Sequence, residues 1–156
     1  KVASDIIFVF VGGTDHDVEI FRAKYGSNPK IKILGRKPYA EMSGYKQSAD
    51  VLVIPNSARF DISKSYTSPL KLFSSMASGI PIIASDLPSL REIVDDKMVF
   101  FVPPDDPARL AQMIDYVLAH PLEAREKSDA AYEEAKKHTW DARARGILEV
   151  IKAHLP

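Results

Sequence analysis

The 156-residue chain has no cysteine, so disulfides and thiolate metal sites are excluded. It has no excess of charge of either sign: 21 Lys plus Arg balance 21 Asp plus Glu. A nucleic-acid partner would call for a basic excess or stripe, and the balance gives it no support. No apolar run reaches transmembrane length, and no signal peptide is expected in these residues. No internal repeat or low-complexity segment breaks it up. What is present is an apolar content of 46% and a charged content of 27%, ordinary for a globular protein, in a length that fits one domain with a real core. The first residue is Lys1 and an apolar strand follows almost at once, so we expect a fragment of a longer protein.

Strands alternate with helices. Residues 6–11 are continuously apolar and β-branched or aromatic, which predicts a strand covered on both faces. Gly12, Gly13 and Thr14 make a sharp turn, with Asp15 and His16 in it, and a short polar helix follows around 16–25. The third glycine of the dinucleotide fingerprint is missing and no acidic residue ends the next strand, which argues against NAD or FAD. A second strand spans 31–34 and ends at Gly35, with Arg36 and Lys37 directly after it. A helix is expected over 38–49, with Met42 and Tyr45 on one face, and a third strand over 51–54.

Residues 55–67 lack periodicity, and a loop of that length in a compact domain is usually functional or mobile. They carry Asn56, Arg59, Asp61, Lys64 and Tyr66 and lead into a helix that starts at Ser68 and Pro69. Ser68 is a natural N-cap and Pro69 a natural first helical residue. The third helical position, which favours Glu or Gln, holds Lys71. A cation there is unfavourable unless an anion uses both the lysine and the free N–H groups, so the helix start reads as a phosphate site. A solvated lysine on the polar face is the other reading. Leu70, Phe73, Met76 and Ala77 form the expected core stripe, and Lys71, Ser74, Ser75 and Ser78 the polar one. Gly79 stops the helix, and residues 82–85 form the fourth strand.

Ser89 and Glu92 match a capping box for a next helix. Residues 99–102 make a fifth strand and 103–107 a turn. Helices follow over 107–119, with Leu110, Met113, Ile114 and Val117 inward, over 122–138, and after Thr139, where Trp140 reads as a core anchor. The order predicts an α/β, Rossmann-like domain: a doubly wound parallel sheet whose five strand-end loops share one edge.

The run Ser68-Pro69-Leu70-Lys71-Leu72-Phe73, then Met76 to Pro81, Ala84 to Pro88, and Arg91-Glu92, resembles the C-terminal domain of group 1 glycosyltransferases. The likeness extends through Val11-Gly12-Gly13, Leu34-Gly35, residues 102–106 and Thr139-Trp140. It implies the two-domain GT-B fold, with residues 1–156 binding the nucleotide half of a nucleoside-diphosphate sugar. An N-terminal acceptor-binding domain of the same protein is the implied partner, and transfer proceeds with retention. The resemblance implies that backbone N–H groups of Thr67, Ser68 and Leu70, with Lys71, hold the diphosphate. It implies close approach at Gly13, base contacts from Arg36 and Lys37, and a ribose contact from Ser74. Tyr66, Asp86 and Glu92 are further candidates. No metal or cofactor is required, and no catalytic residue is assigned. Location is expected in the cytoplasm or at the inner face of a membrane, with any membrane contact made through the missing domain. Many members carry two glutamates eight residues apart; the matching positions here are Tyr66 and Ser74, neither acidic. A degenerate, non-catalytic module and a nucleotide-sugar epimerase are the alternatives. The isolated chain is expected to bind nucleotide weakly and not to transfer sugar.

Overall fold

The computed structural model describes Val2, residues 5–59, Asp61 and residues 70–155. The elements run β1 (Phe8–Val11), α1 (Asp15–Tyr25), β2 (Ile31–Gly35), a 3-10 turn (Tyr39–Glu41), α2 (Met42–Gln47), β3 (Leu52–Ile54), α3 (Leu70–Met76), β4 (Ile82–Ser85), α4 (Pro88–Arg91), β5 (Phe100–Val102), α5 (Pro107–Ala119), α6 (Pro121–Ala135) and α7 (Trp140–His154). Every strand pairing is parallel, as expected for strands joined by helical crossovers. The α/β, parallel architecture is therefore as the sequence predicts.

Its sheet is not continuous, however. Among the described residues the strands form two sheets, β1-β2 and β3-β4-β5. The three-stranded sheet is covered on both faces. One face packs Ile54, Ile82 and Ala84 with Leu72 and Met76 of α3, Leu87, Leu90 and Val94, and Ala131 of α6. The other packs Ile83, Phe100 and Val102 with Ile114 and Val117 of α5 and Ala124. Phe8 of β1 and Val51 pack against this second cluster, which joins the two sheets through side chains.

Several local expectations change. β1 is not covered on both faces, since Val9 is 54% exposed. The helix expected over 38–49 is a 3-10 turn followed by the short α2; Gly44, a poor helix former, sits in the middle of α2. α3 buries Leu72, Ser75 and Met76, while Leu70 is 64% exposed and Ala77 is exposed too. The face turned inward is therefore rotated from the one expected, and α3 packs against α6. α4 begins at Pro88 with extended Leu87 as its N-cap, so Ser89 lies inside the helix and the Ser89–Glu92 capping box does not form. Proline at the first helical position forces its predecessor into extended backbone, and that sets the start one residue early. α7 is capped by Thr139, whose Oγ1 accepts from the Ala142 N–H, but the helix buries none of its residues and Trp140 is 76% exposed. The core-anchor role of Trp140 is thereby corrected.

Candidate functional site

The carboxyl end of β1 is shaped by glycine. Gly12 and Gly13 adopt φ of +114° and +93°, which side chains avoid. At Gly13 a Cβ would also stand 3.3 Å from Cγ2 of Val18. The Gly12 N–H donates to the Gly35 carbonyl at 2.8 Å, tying the ends of β1 and β2 together. That bond brings Arg36 next to the glycine turn. Gly13, Thr14, Asp15 and Arg36 line one cleft of about 450 Å³. Lys37 is half-buried beside it and is not part of the lining.

The start of α1 is already closed. Thr14 Oγ1 accepts from the Asp17 N–H at 3.2 Å and donates to Asp17 Oδ2 at 2.6 Å, while the Thr14 N–H reaches the same carboxylate. These bonds from Thr14 hold the Asp17 carboxyl below its ordinary range. Asp17 thus supplies the anion that this helix end would otherwise attract, and an incoming phosphate would meet Asp15 and Asp17 in the first turn. The pairing was readable in the sequence as Thr-x-x-Asp, a variant of the usual box.

At the other strand ends, α3 presents Leu70 and Lys71 as exposed residues. Tyr66, Thr67 and Ser68 lie outside the described residues. Ser74 is half-buried. Its hydroxyl donates to the Lys71 carbonyl at 3.1 Å and accepts from the Lys46 ammonium of α2. Burial holds Lys46 below the usual lysine range, and no ion pair to it is found among the described residues. Ser74→Glu would place a carboxylate against this lysine. It is expected to stabilise the fold by about 0.5–1 kcal/mol at pH 7, the range of a partly screened ion pair. A lysine depressed by burial destabilises while protonated, so the gain fades as pH rises through the ordinary lysine range and again as it falls through the glutamate range. Urea denaturation across pH checks this; no gain at pH 7 would show that Lys46 escapes to solvent without cost.

Asp86, after β4, is engaged. Arg91 Nε donates to its Oδ1 at 2.7 Å and a second guanidinium nitrogen to its Oδ2 at 3.0 Å, while the third reaches Asp96. The same guanidinium lies 3.8 Å from the centroid of the Phe101 ring. Hydrogen bonds from Arg91 hold the Asp86 carboxyl below its ordinary range, and Asp86 and Asp96 raise the Arg91 pKa. Glu92 is exposed just beyond α4. After β5, Asp105 accepts from the Ser57 hydroxyl at 2.7 Å and the Ala58 N–H at 3.0 Å, linking two strand-end loops. Neither Lys46 nor Asp105 stood out in the sequence, because each matters through partners 28 and 48 residues away.

Of the sequence-predicted residues, then, Gly13 and Arg36 share a cleft, and Lys71 and Ser74 share the first turns of α3. Asp86 is held in an ion pair. No helix among the described residues is long and apolar enough to cross a membrane.

Known proteins give a consistent picture. The family model described as "Glycosyl transferases group 1" matches residues 1–120. A phosphatidyl-myo-inositol mannosyltransferase from Mycobacterium leprae is 30% identical over 151 residues, covering 95% of this chain and 38% of that protein. Among solved structures, sucrose-phosphate synthase from Thermosynechococcus elongatus superposes with a TM-score of 0.76 at 24% identity, over 93% of this chain and 37% of its own. The Anabaena protein HepE in complex with UDP and glucose gives 0.78 at 15% identity, over 97% of this chain and 42% of its own. The chain thus spans about two fifths of the length of these relatives.

Proposed function

The chain belongs to the glycosyl transferases group 1 family, and from that premise we propose that it is the donor-binding domain of a retaining, GT-B glycosyltransferase that uses a nucleoside-diphosphate sugar. The observation that carries this reading is the cleft at the ends of β1 and β2. A glycine turn there permits close approach, and Arg36 lines the same space. HepE, of the same fold, is seen with UDP and glucose. In this reading Arg36 and Lys37 contact the base. The backbone N–H groups of Thr67, Ser68 and Leu70, with Lys71, take the diphosphate, because N–H donors and a cation neutralise the charge that develops on the leaving group. Ser74 contacts the ribose. No metal is required, so a chelator leaves binding unchanged. The acceptor is bound by an N-terminal domain of the same protein, and sugar transfer needs both.

Calorimetric titration of the chain with UDP, GDP and ADP, with and without chelator, tests this. Binding of one of them in the micromolar to millimolar range is expected. No binding of any at millimolar concentration sinks the donor-site reading.

One observation favours a second reading, a non-catalytic module of the same fold. The position where many members carry a carboxylate is Ser74, and the Lys46 ammonium occupies its hydroxyl. If Ser74→Glu in the full-length protein raises donor affinity, the site is a relaxed donor site. If affinity is unchanged while stability rises, the position has been repurposed.

A further inference from the structure

We propose that Lys46 is a ligand-binding residue of the donor site, and that its ammonium, held by Ser74, donates to the vicinal ribose oxygens of the nucleotide. The proposal rests on the donor-site reading above and enters it through Ser74. Lys46 lies on α2 and Ser74 on α3, and both are half-buried. The hydroxyl of Ser74 is nearly used up. Its one hydrogen goes to the Lys71 carbonyl at 3.1 Å, and one of its two acceptor sites takes the Lys46 ammonium. What remains for a ligand is a single neutral lone pair. Lys46 keeps more. An ammonium has three N–H donors; Ser74 takes one, and none of the described residues takes the other two.

Folding alone does not account for such a lysine. Burial works against its charge, and a four-carbon stem ordinarily carries the ammonium out to water. Here the ammonium is kept back, with a hydroxyl for a partner and no carboxylate among the described residues. A half-buried cation with spare donors is unfavourable in the free chain and gains when a ligand oxygen completes its bonds. Groups perturbed in this way gather at functional sites. Where many members of the family carry a carboxylate at the position of Ser74, that group would accept the hydrogens of the ribose diol. A ribose hydroxyl both donates and accepts, so an ammonium reads the same diol from its oxygens. Two spare N–H donors suit two adjacent oxygens.

Lys46→Met tests this in the 156-residue chain. It is titrated beside the wild type with whichever of UDP, GDP and ADP the wild type binds, and with the 2′-deoxy form of that nucleotide. The wild type is expected to bind the 2′-deoxy form about fivefold more weakly. Lys46→Met should bind the ribonucleotide about tenfold more weakly than wild type does, and prefer it over the deoxy form by no more than about 1.5-fold. Its melting temperature should be no lower than wild type, since methionine fills the space of the lysine stem without a buried charge. Lys46→Gln keeps N–H donors without the charge and should bind about threefold more weakly than wild type; it carries the comparison if Lys46→Met does not fold. Unchanged affinity in Lys46→Met overturns the contact. So does a ribose preference as large in Lys46→Met as in the wild type, which would put the 2′-oxygen on another residue, and so does equal binding of the two forms by the wild type. If the wild type binds none of the three nucleotides, the donor-site reading fails and the role of Lys46 falls with it.

Discussion

Leu72→Ala is expected to lower the free energy of unfolding by about 3 kcal/mol, and the melting temperature by roughly 10 °C for a chain of this size. Leu72 has no exposed surface and lies in the cluster with Ile54, Met76, Ile82 and Leu90. Truncation removes buried methyl and methylene groups and leaves a cavity between α3 and the sheet that close-packed neighbours fill only in part. A domain stability of about 5–15 kcal/mol makes this a large fraction of the whole. Leu70→Ala is the matching control. Its side chain is largely exposed, and the change should stay within about 0.5 kcal/mol. Chemical denaturation of both decides which face of α3 is inside. Equal losses would mean that the helix is rotated from the orientation described above.

The second large effect is expected at Gly13. Gly13→Val should cost about 2 kcal/mol or more, since a β-branched residue at φ +93° is strained and its Cβ would crowd Val18. Valine would also intrude on the cleft shared with Arg36, so nucleotide binding should fall at least about tenfold, the equivalent of about 1.4 kcal/mol. Gly12→Ala separates the two causes. Its φ is also positive, but a Cβ there meets nothing within 4 Å. It should lose stability through backbone strain and keep more of the affinity. Titration and denaturation of both variants give the comparison, and a Gly13→Val protein that binds nucleotide like wild type would remove the glycine turn from the site.

The sequence shows most of the fold because its signals are local. The apolar strands and the amphipathic pattern of α5 each rest on a few neighbouring residues, and α5 falls at Pro107–Ala119 as the pattern predicts. The resemblance to the family was carried by one run, and the family model matches it. The misses share a cause. On α3 two apolar stripes are both helically spaced, and only the packing of α3 against the sheet and α6 selects between them. Ser89 and Glu92 fit a capping box by spacing, yet Pro88 starts the helix one residue earlier. Trp140 looks like core by composition, and the described residues simply bring nothing over it. In the cleft, the proximity of Gly13 and Arg36 was legible because each lies in the loop that follows a strand. The Lys46–Ser74 contact and the Asp105 clamp were not, since pairing across such separations is decided by the tertiary fold.

The break between the two sheets has a consequence for how the molecule opens. With no ladder linking β1-β2 to β3-β4-β5 among the described residues, the first unit can detach by giving up side-chain contacts such as those of Phe8, without breaking a strand pairing of the other sheet. Sub-global opening of this kind takes less free energy than complete unfolding. Amides of residues 8–35 then exchange through a lower-energy route than those of the buried β4. Because Gly13 and Arg36 lie on that detachable unit, a bound nucleotide would act as a tether, and its affinity would be read out first as slowed exchange in β1 and β2.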